Sequence, residues 1–423
     1  MANSKSNLSL TFFNFSYLFT SNIFKKILGF FRELVLAFIF GSSTIYANYL
    51  LLKTITDFLS QFTFGNALQA NLLPKFSRLF YEHKNLNLNG VNYFLKKTAF
   101  LIFIISLMIQ LAVVFFVIKK SYYLLIATSI ILSFILCTNF YNSIFLTFVQ
   151  AKGEFRKFSF ATSFNVFIAT VFVYPLSFLF SVIGTATSRL FGVMCLTYMY
   201  IKPMLHQNKG FDVNITKKDF NLSILFLGNL SLFILLFSRF ITGINGSSDI
   251  AHFNYSFVLL NVILTAFIFN INTILLRDIS SNNRKTPFII SILLTSLIAG
   301  AVYYIVMNYS LEIIELIYKR GAFSTDDVIA TAFFLRELSG YYIILMFTTL
   351  FFQPFFSLGI DKNSDFAKKI IFLLSLVFIC FVVYIIFQPT TNIDACFLFL
   401  RIMTIASLIL SFVSYIYFLK NEI

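Results

Sequence analysis

The chain has 423 residues, of which 59% are hydrophobic and only 12% charged, and its mean hydropathy is +0.86. A soluble domain carries roughly 25% charged residues, so this composition excludes a water-soluble globular protein. Apolar runs near 20 residues recur along the chain. That is the length a helix needs to cross ~30 Å of hydrocarbon, and lipid satisfies no backbone group, so the runs must be helical.

In chain order the hydropathy predicts spans at 8–40, 45–73, 98–118, 121–149, 158–180, 181–201, 220–242, 250–276, 286–308, 327–353, 369–387 and 395–419. The first run has no small-residue cleavage site, and Lys25, Lys26, Arg32 and Glu33 lie in it, so it is expected to be a retained helix and not a signal peptide. The first, second and tenth runs are long and charged, which points to broken or strongly tilted helices. The longest basic polar stretch, 202–219, divides six spans from six. The expected fold is an all-α polytopic membrane protein of about 12 transmembrane helices in two six-helix lobes around a central cavity. The N-terminal lobe is 1–201, a basic cytoplasmic linker is 202–219, and the C-terminal lobe is 220–423.

Charge placement checks this count independently. With a cytoplasmic N-terminus, 20 basic residues fall in cytoplasmic segments and 4 (Lys119, Lys120, Lys319 and Arg320) on the opposite face. That bias fits the positive-inside rule with both termini in the cytoplasm of a bacterial inner membrane. The net charge of +15 therefore implies no nucleic acid; the basic face attracts anionic membrane lipids. Tyr122, Tyr123, Tyr198, Tyr200, Tyr303 and Tyr304 lie near predicted helix ends, where tyrosine serves an interfacial belt in a chain without Trp. The 60 Phe residues are read as codon bias and not as function.

A charge deep in a span costs at least ~2.5–3.5 kcal/mol and normally faces a cavity or a partner. The in-span cations are Lys25, Lys26, Arg32, Lys53, Arg189, Arg239, Arg336 and Arg401, against the acids Glu33, Asp57 and Glu337. Lys25 and Arg32 are seven residues apart, as are Lys26 and Glu33, so each pair shares nearly one helix face. Gly29 between them lets the helix bend or a ligand approach. Lys53 and Asp57 stand at i,i+4, which allows mutual neutralisation. Arginine fork and lysine point charge together suit a diphosphate, against the alternative that Lys25 and Lys26 snorkel from a cytoplasmic flank. Arg189, Arg239 and Arg401 are balanced between structural, interfacial and cavity roles, and Arg336–Glu337 reads as a local pair.

No catalytic constellation is present. Cys137, Cys195, Cys380 and Cys396 occur singly in apolar runs, without CxxC or Cys/His spacing, so no disulfide framework, metal or cofactor is indicated. His83, His206 and His252 are isolated near helix ends and read as solvated. Neither paired carboxylates nor a nucleotide-binding loop is found, so the expectation is a protein that is not an enzyme.

Residues 26–41, KILGFFRELVLAFIFG, resemble the opening signature of the MurJ/MviN lipid II flippases of the multidrug/oligosaccharidyl-lipid/polysaccharide exporter superfamily. Lys26 stands for the family's first Arg, Gly29, Phe30 and Arg32 match, and Glu33 replaces Asp. Residues 67–74 (ALQANLLP), 317–327 (IYKRGAFSTDD) and 355–361 (FFSLGID) resemble further family segments. Family arginines of the second and eighth helices would fall at Ser60 or Gln61 and near Val258, where this chain has none.

The resemblance implies a flippase for an undecaprenyl-diphosphate-linked saccharide, either lipid II or a surface-polysaccharide repeat unit, working by alternating access. The diphosphate would meet Lys25, Lys26, Arg32 and Lys53. Coupling to an ion gradient or the membrane potential is implied, with Glu33, Asp57 and Glu337 as coupling acids, as is association with glycan-synthesis enzymes. A cation-coupled drug or metabolite antiporter of the same superfamily and a non-transporting scaffold of a glycan-synthesis complex are the alternatives.

Overall fold

A computed structural model describes residues 2–63, 66–83, 86–87, 89–119, 122–205, 211–213, 226–263, 285–357, 360–388 and 390–421. The described chain is almost wholly helical: an all-α polytopic membrane protein. Seven helical runs within it are long and apolar enough to cross a membrane. The chain divides into two compact units, Met1–Ile39 with Ile55–Phe220, and Phe40–Thr54 with Asn221–Ile423. Phe40 at the end of α1 and the first part of α2 thus belong to the second unit.

The first unit holds most of α1 (Ala2–Phe40), the end of α2 (Thr44–Thr63), α3 (Asn66–Glu82), α4 (Asn89–Val113), α5 (Tyr122–Ala151), α6 (Phe155–Leu196) and the single turn α7 (Lys202–Leu205). The described parts of the long second run of the sequence are α2 and α3, on either side of residues 64–65. The two-residue strands Leu86–Asn87 and Phe211–Asp212 pair in parallel. Most of the linker, including His206, lies outside the described residues.

α6 is a hairpin. Its backbone leaves the helical region at Phe180 and Ser181, and Ser181 has φ +53°. Ser177 Oγ then lies 2.8 Å from Thr185 Oγ1, whereas eight residues of straight helix span about 12 Å. Gly184 permits the reversal, since a Cβ there would sit 1.8 Å from the Leu176 carbonyl oxygen. The hydropathy boundary between residues 180 and 181 coincides with this turn.

Apolar burial does little to hold helices together in lipid, where packing and interhelical hydrogen bonds take over. Accordingly α2, α4 and α5 are joined by a buried polar ladder. Gln110 Nε2 donates to Thr56 Oγ1 at 3.2 Å and to Ser106 Oγ at 3.1 Å, and Ser133 Oγ donates to Ser106 Oγ at 3.2 Å. On the far side of α5, Asn142 Nδ2 donates to Thr197 Oγ1 at 2.9 Å. Phe76, Phe145, Phe148 and Phe158 fill the core around these seams.

The second unit contains α8 (Leu230–Thr242), α9 (Asp249–Ile263), α10 (Lys285–Tyr318), α11 (Thr325–Ser357), α12 (Ile360–Phe387) and α13 (Asn392–Asn421). Residues 264–276 of the predicted eighth span lie outside the described residues. The segments that the charge pattern assigns to one membrane face meet at one end of this unit. Asn392 Nδ2 donates to the Ile244 carbonyl at 2.8 Å, and Tyr255 Oη donates to the Gly41 carbonyl at 2.8 Å. Gly41 closes α1 at φ +53°, and a Cβ there would lie 2.4 Å from the Ala322 carbonyl oxygen. The stretch ending KILGFFRELVLAFIFG and the stretch GAFSTDD therefore meet, although nearly 300 residues of chain separate them.

Candidate functional site

In the first unit, α1 lies along the first arm of α6 through residues 21, 25 and 28, spaced at helical i, i+4 and i+7. Ser21 Oγ donates to the Ser159 carbonyl at 3.1 Å and lies 2.8 Å from Ser163 Oγ. Lys25 Nζ donates to Thr162 Oγ1 at 3.3 Å, and Thr170 Oγ1 reaches the Leu28 carbonyl at 3.4 Å. Arg32 extends the same face one turn further. Lys26 points away from this seam and is exposed. α1 runs through Gly29 as a continuous helix, and a Cβ there would meet nothing within 4 Å. Lys25 and Arg32 therefore flank an open stretch of helix surface about 10 Å long.

Arg32 and Glu33 approach to 3.5 Å, with the carboxylate 4% exposed and the guanidinium 18%. Asp57 lies 3.7 Å from Arg189, both partly exposed. Two of the candidate coupling acids thus each have a guanidinium within 4 Å. Arg189 was balanced between roles in the sequence; its place beside Asp57 is set by the α6 hairpin, which no local pattern announces.

In the second unit Lys53 is buried and Arg239 is 2% exposed. Arg239 Nε donates to Thr54 Oγ1 and Nη1 to Asn254 Oδ1, both at 2.8 Å, while the guanidinium lies 5.5 Å from the Phe257 ring centre. A buried charge is tolerated only with such partners. The sequence signal for this was an arginine set within the mostly apolar run of α8.

His252 corrects the reading of the histidines as solvated. It is 6% exposed, with Nδ1 3.1 Å from Thr331 Oγ1 and Nε2 3.8 Å from Asp327 Oδ1. Asp327 is the third residue of α11, and with Ser324 it forms a capping box: the Ser324 amide and Oγ donate to Oδ2 at 2.8 and 2.9 Å, and the Asp327 amide donates back to Ser324 Oγ at 3.2 Å. Ser42 Oγ, in the link between α1 and α2, donates to Oδ1.

Arg336 and Glu337 do not pair with each other. Arg336 Nε donates to Ser310 Oγ of α10, while the side chains of Glu337 and of Arg401 on α13 are exposed. Among the described residues no group of three metal-binding side chains occurs. One apolar groove of about 390 Å³ runs between α4 and α5, from Lys96 to Phe103 and Phe134.

No family model matches the chain, and no curated protein matches it by sequence. Solved structures do. A lipid II flippase MurJ in an inward closed conformation matches at TM-score 0.72 and 16% identity, over 95% of this chain and 87% of that one. An inward-facing multidrug resistance MATE family transporter of the MOP superfamily matches at 0.66 and 13%, over 94% of each chain. A MOP superfamily transporter from Pyrococcus furiosus, described as having a binding pocket of reverse polarity, matches at 0.56 and 12%, over 96% and 95%. The chain is a polytopic membrane protein whose fold is similar to that of these solved structures. A lipid II flippase and a multidrug resistance transporter share that fold, so function has to be argued from the side chains.

Proposed function

We propose that this protein is a flippase of the bacterial inner membrane, with both termini cytoplasmic, that moves an undecaprenyl-diphosphate-linked saccharide by alternating access. The observation that carries this reading is the cationic face of α1, where Lys25 and Arg32 flank open space at Gly29. An ionised diphosphate is prohibitively costly in hydrocarbon, and two cations on one helix face offset that cost without covalent chemistry. Lys26 and Lys53 are the other cations that the sequence offers to the headgroup. Lipid II and a surface-polysaccharide repeat unit share this headgroup; glycan-synthesis enzymes would supply either one, and the basic cytoplasmic face would hold anionic lipids.

Reconstituted into proteoliposomes, the wild-type protein is expected to translocate a polyprenyl-diphosphate saccharide, and Arg32→Ala to lose that activity. Unimpaired flipping by Arg32→Ala overturns the headgroup site. A cation-coupled antiporter is the second reading, favoured by one observation: the Glu337 carboxylate is exposed and has no ion pair among the described residues. Against it, Glu33 and Asp57 each lie beside a guanidinium, which disfavours exchange of a carboxylate-bound cation. Uptake of an organic cation by the same proteoliposomes, abolished by Glu337→Gln, would favour the antiporter.

A further inference from the structure

We propose that His252 and Asp327 form a proton-binding site whose occupancy controls the hold of α11 on the link between α1 and α2. The idea rests on the proposed transport function only for its consequence; the site itself stands on geometry.

Both groups are buried, and they come from the first turns of α9 and α11. The two carboxylate oxygens of Asp327 do different work. Oδ2 is committed to the Ser324 amide and hydroxyl that cap α11. Oδ1 accepts from Ser42 Oγ and is also the oxygen that faces His252 Nε2 at 3.8 Å. That separation is too long for a hydrogen bond, yet short enough for a charge pair once the ring carries two protons. In the tautomer whose Nδ1–H donates to Thr331 Oγ1, a second proton on His252 makes Nε2 a cationic donor facing Oδ1. That oxygen then accepts from both His252 and Ser42, and the charge-assisted donor weakens its bond to Ser42. A charge-assisted bond is roughly twice as strong as a neutral one, so proton uptake favours His252 and loosens Ser42.

The charged groups around the ring are few. Asp327 faces it from α11, and Asp249 lies one turn away on α9 itself. Asp326, Lys319 and Arg320, near the start of α11 and on the loop before it, are exposed. Arg239 of α8 is engaged by Asn254, two residues beyond His252. The link held by Ser42 follows directly on the helix that carries Lys25 and Arg32. A proton at His252 therefore acts at the C-terminal end of that helix.

The chain has only three histidines, so ring-labelled histidine gives three resolvable NMR signals in detergent-solubilised full-length protein. The His252 signal, assigned by its loss in His252→Gln, is expected to titrate as the pH is lowered within the range where the protein stays folded. Its midpoint is expected to move in Ser42→Ala, which frees Oδ1 but leaves the cap of α11 intact, and in Asp327→Asn. A His252 ring that does not titrate while the protein is folded, or a midpoint indifferent to both variants, overturns the site. In proteoliposomes, translocation by the wild type is expected to change several-fold across the titration of His252 and by His252→Gln to stay flat. A pH-independent wild-type rate overturns the coupling. Absence of any translocation, with the titration intact, overturns the flippase reading and leaves the proton site standing.

Discussion

Arg239 and Arg32 show how little a residue type says until its surroundings are fixed. Both are arginines in apolar helices, yet Arg239 is sealed between Thr54, Asn254 and Phe257 while Arg32 keeps a partly open face beside Gly29. Interhelical side-chain bonds in membranes average about 0.6 kcal/mol, but bonds to a charged group are worth about 1.5–3. Thr54→Val, which keeps the shape and removes the acceptor, is therefore expected to cost about 1–3 kcal/mol, read as a lower unfolding temperature in detergent. Arg32→Ala is expected to leave that temperature nearly unchanged and to abolish translocation. A large loss of stability in Arg32→Ala would assign the residue to the fold.

At the scale of single elements, α6 and α11 carry the sharpest expectations. Gly184→Leu forces a branched side chain against the Leu176 carbonyl. The α6 hairpin cannot close around it, and the variant is expected to lose more than the ~1–3 kcal/mol usual for overpacking. A thermal-shift measurement showing wild-type stability would mean the hairpin is wrongly drawn. Ser324→Ala removes the hydroxyl that caps α11 and is expected to cost about 0.5–2 kcal/mol. The hairpin boundary was legible because the apolar run of 158–201 is too long for one crossing. The cap was visible as Ser-x-x-Asp within GAFSTDD, but its second service, to Ser42 and His252, depends on three segments distant in sequence.

For the whole molecule the testable claim is topology. In a chain stripped of its four cysteines, Lys152→Cys and Lys319→Cys place exposed thiols on segments of opposite predicted sidedness. A membrane-impermeant thiol reagent is expected to modify position 319 in intact cells and position 152 only in inverted vesicles; labelling of both from one side would break the twelve-span count. Rescue of a strain depleted of its lipid II flippase would assign the saccharide to peptidoglycan, and failure to rescue, with flipping intact in proteoliposomes, to another polysaccharide.

The sequence by itself determined that the chain is an all-α membrane protein, roughly where its helices lie, and that Lys25 and Arg32 share a helix face with Gly29 between them. Those follow from hydropathy and helical periodicity, which are local properties. Only the tertiary structure decided that the end of α1 and the start of α2 pack with the second unit. It alone paired Asp57 with Arg189, and Arg336 with Ser310 in place of Glu337. It also turned His252 from a solvated residue into a buried neighbour of Asp327. The physical reason is the same in each case: a buried charge or hydrogen-bonding group must find a partner, and its partner can lie hundreds of residues away.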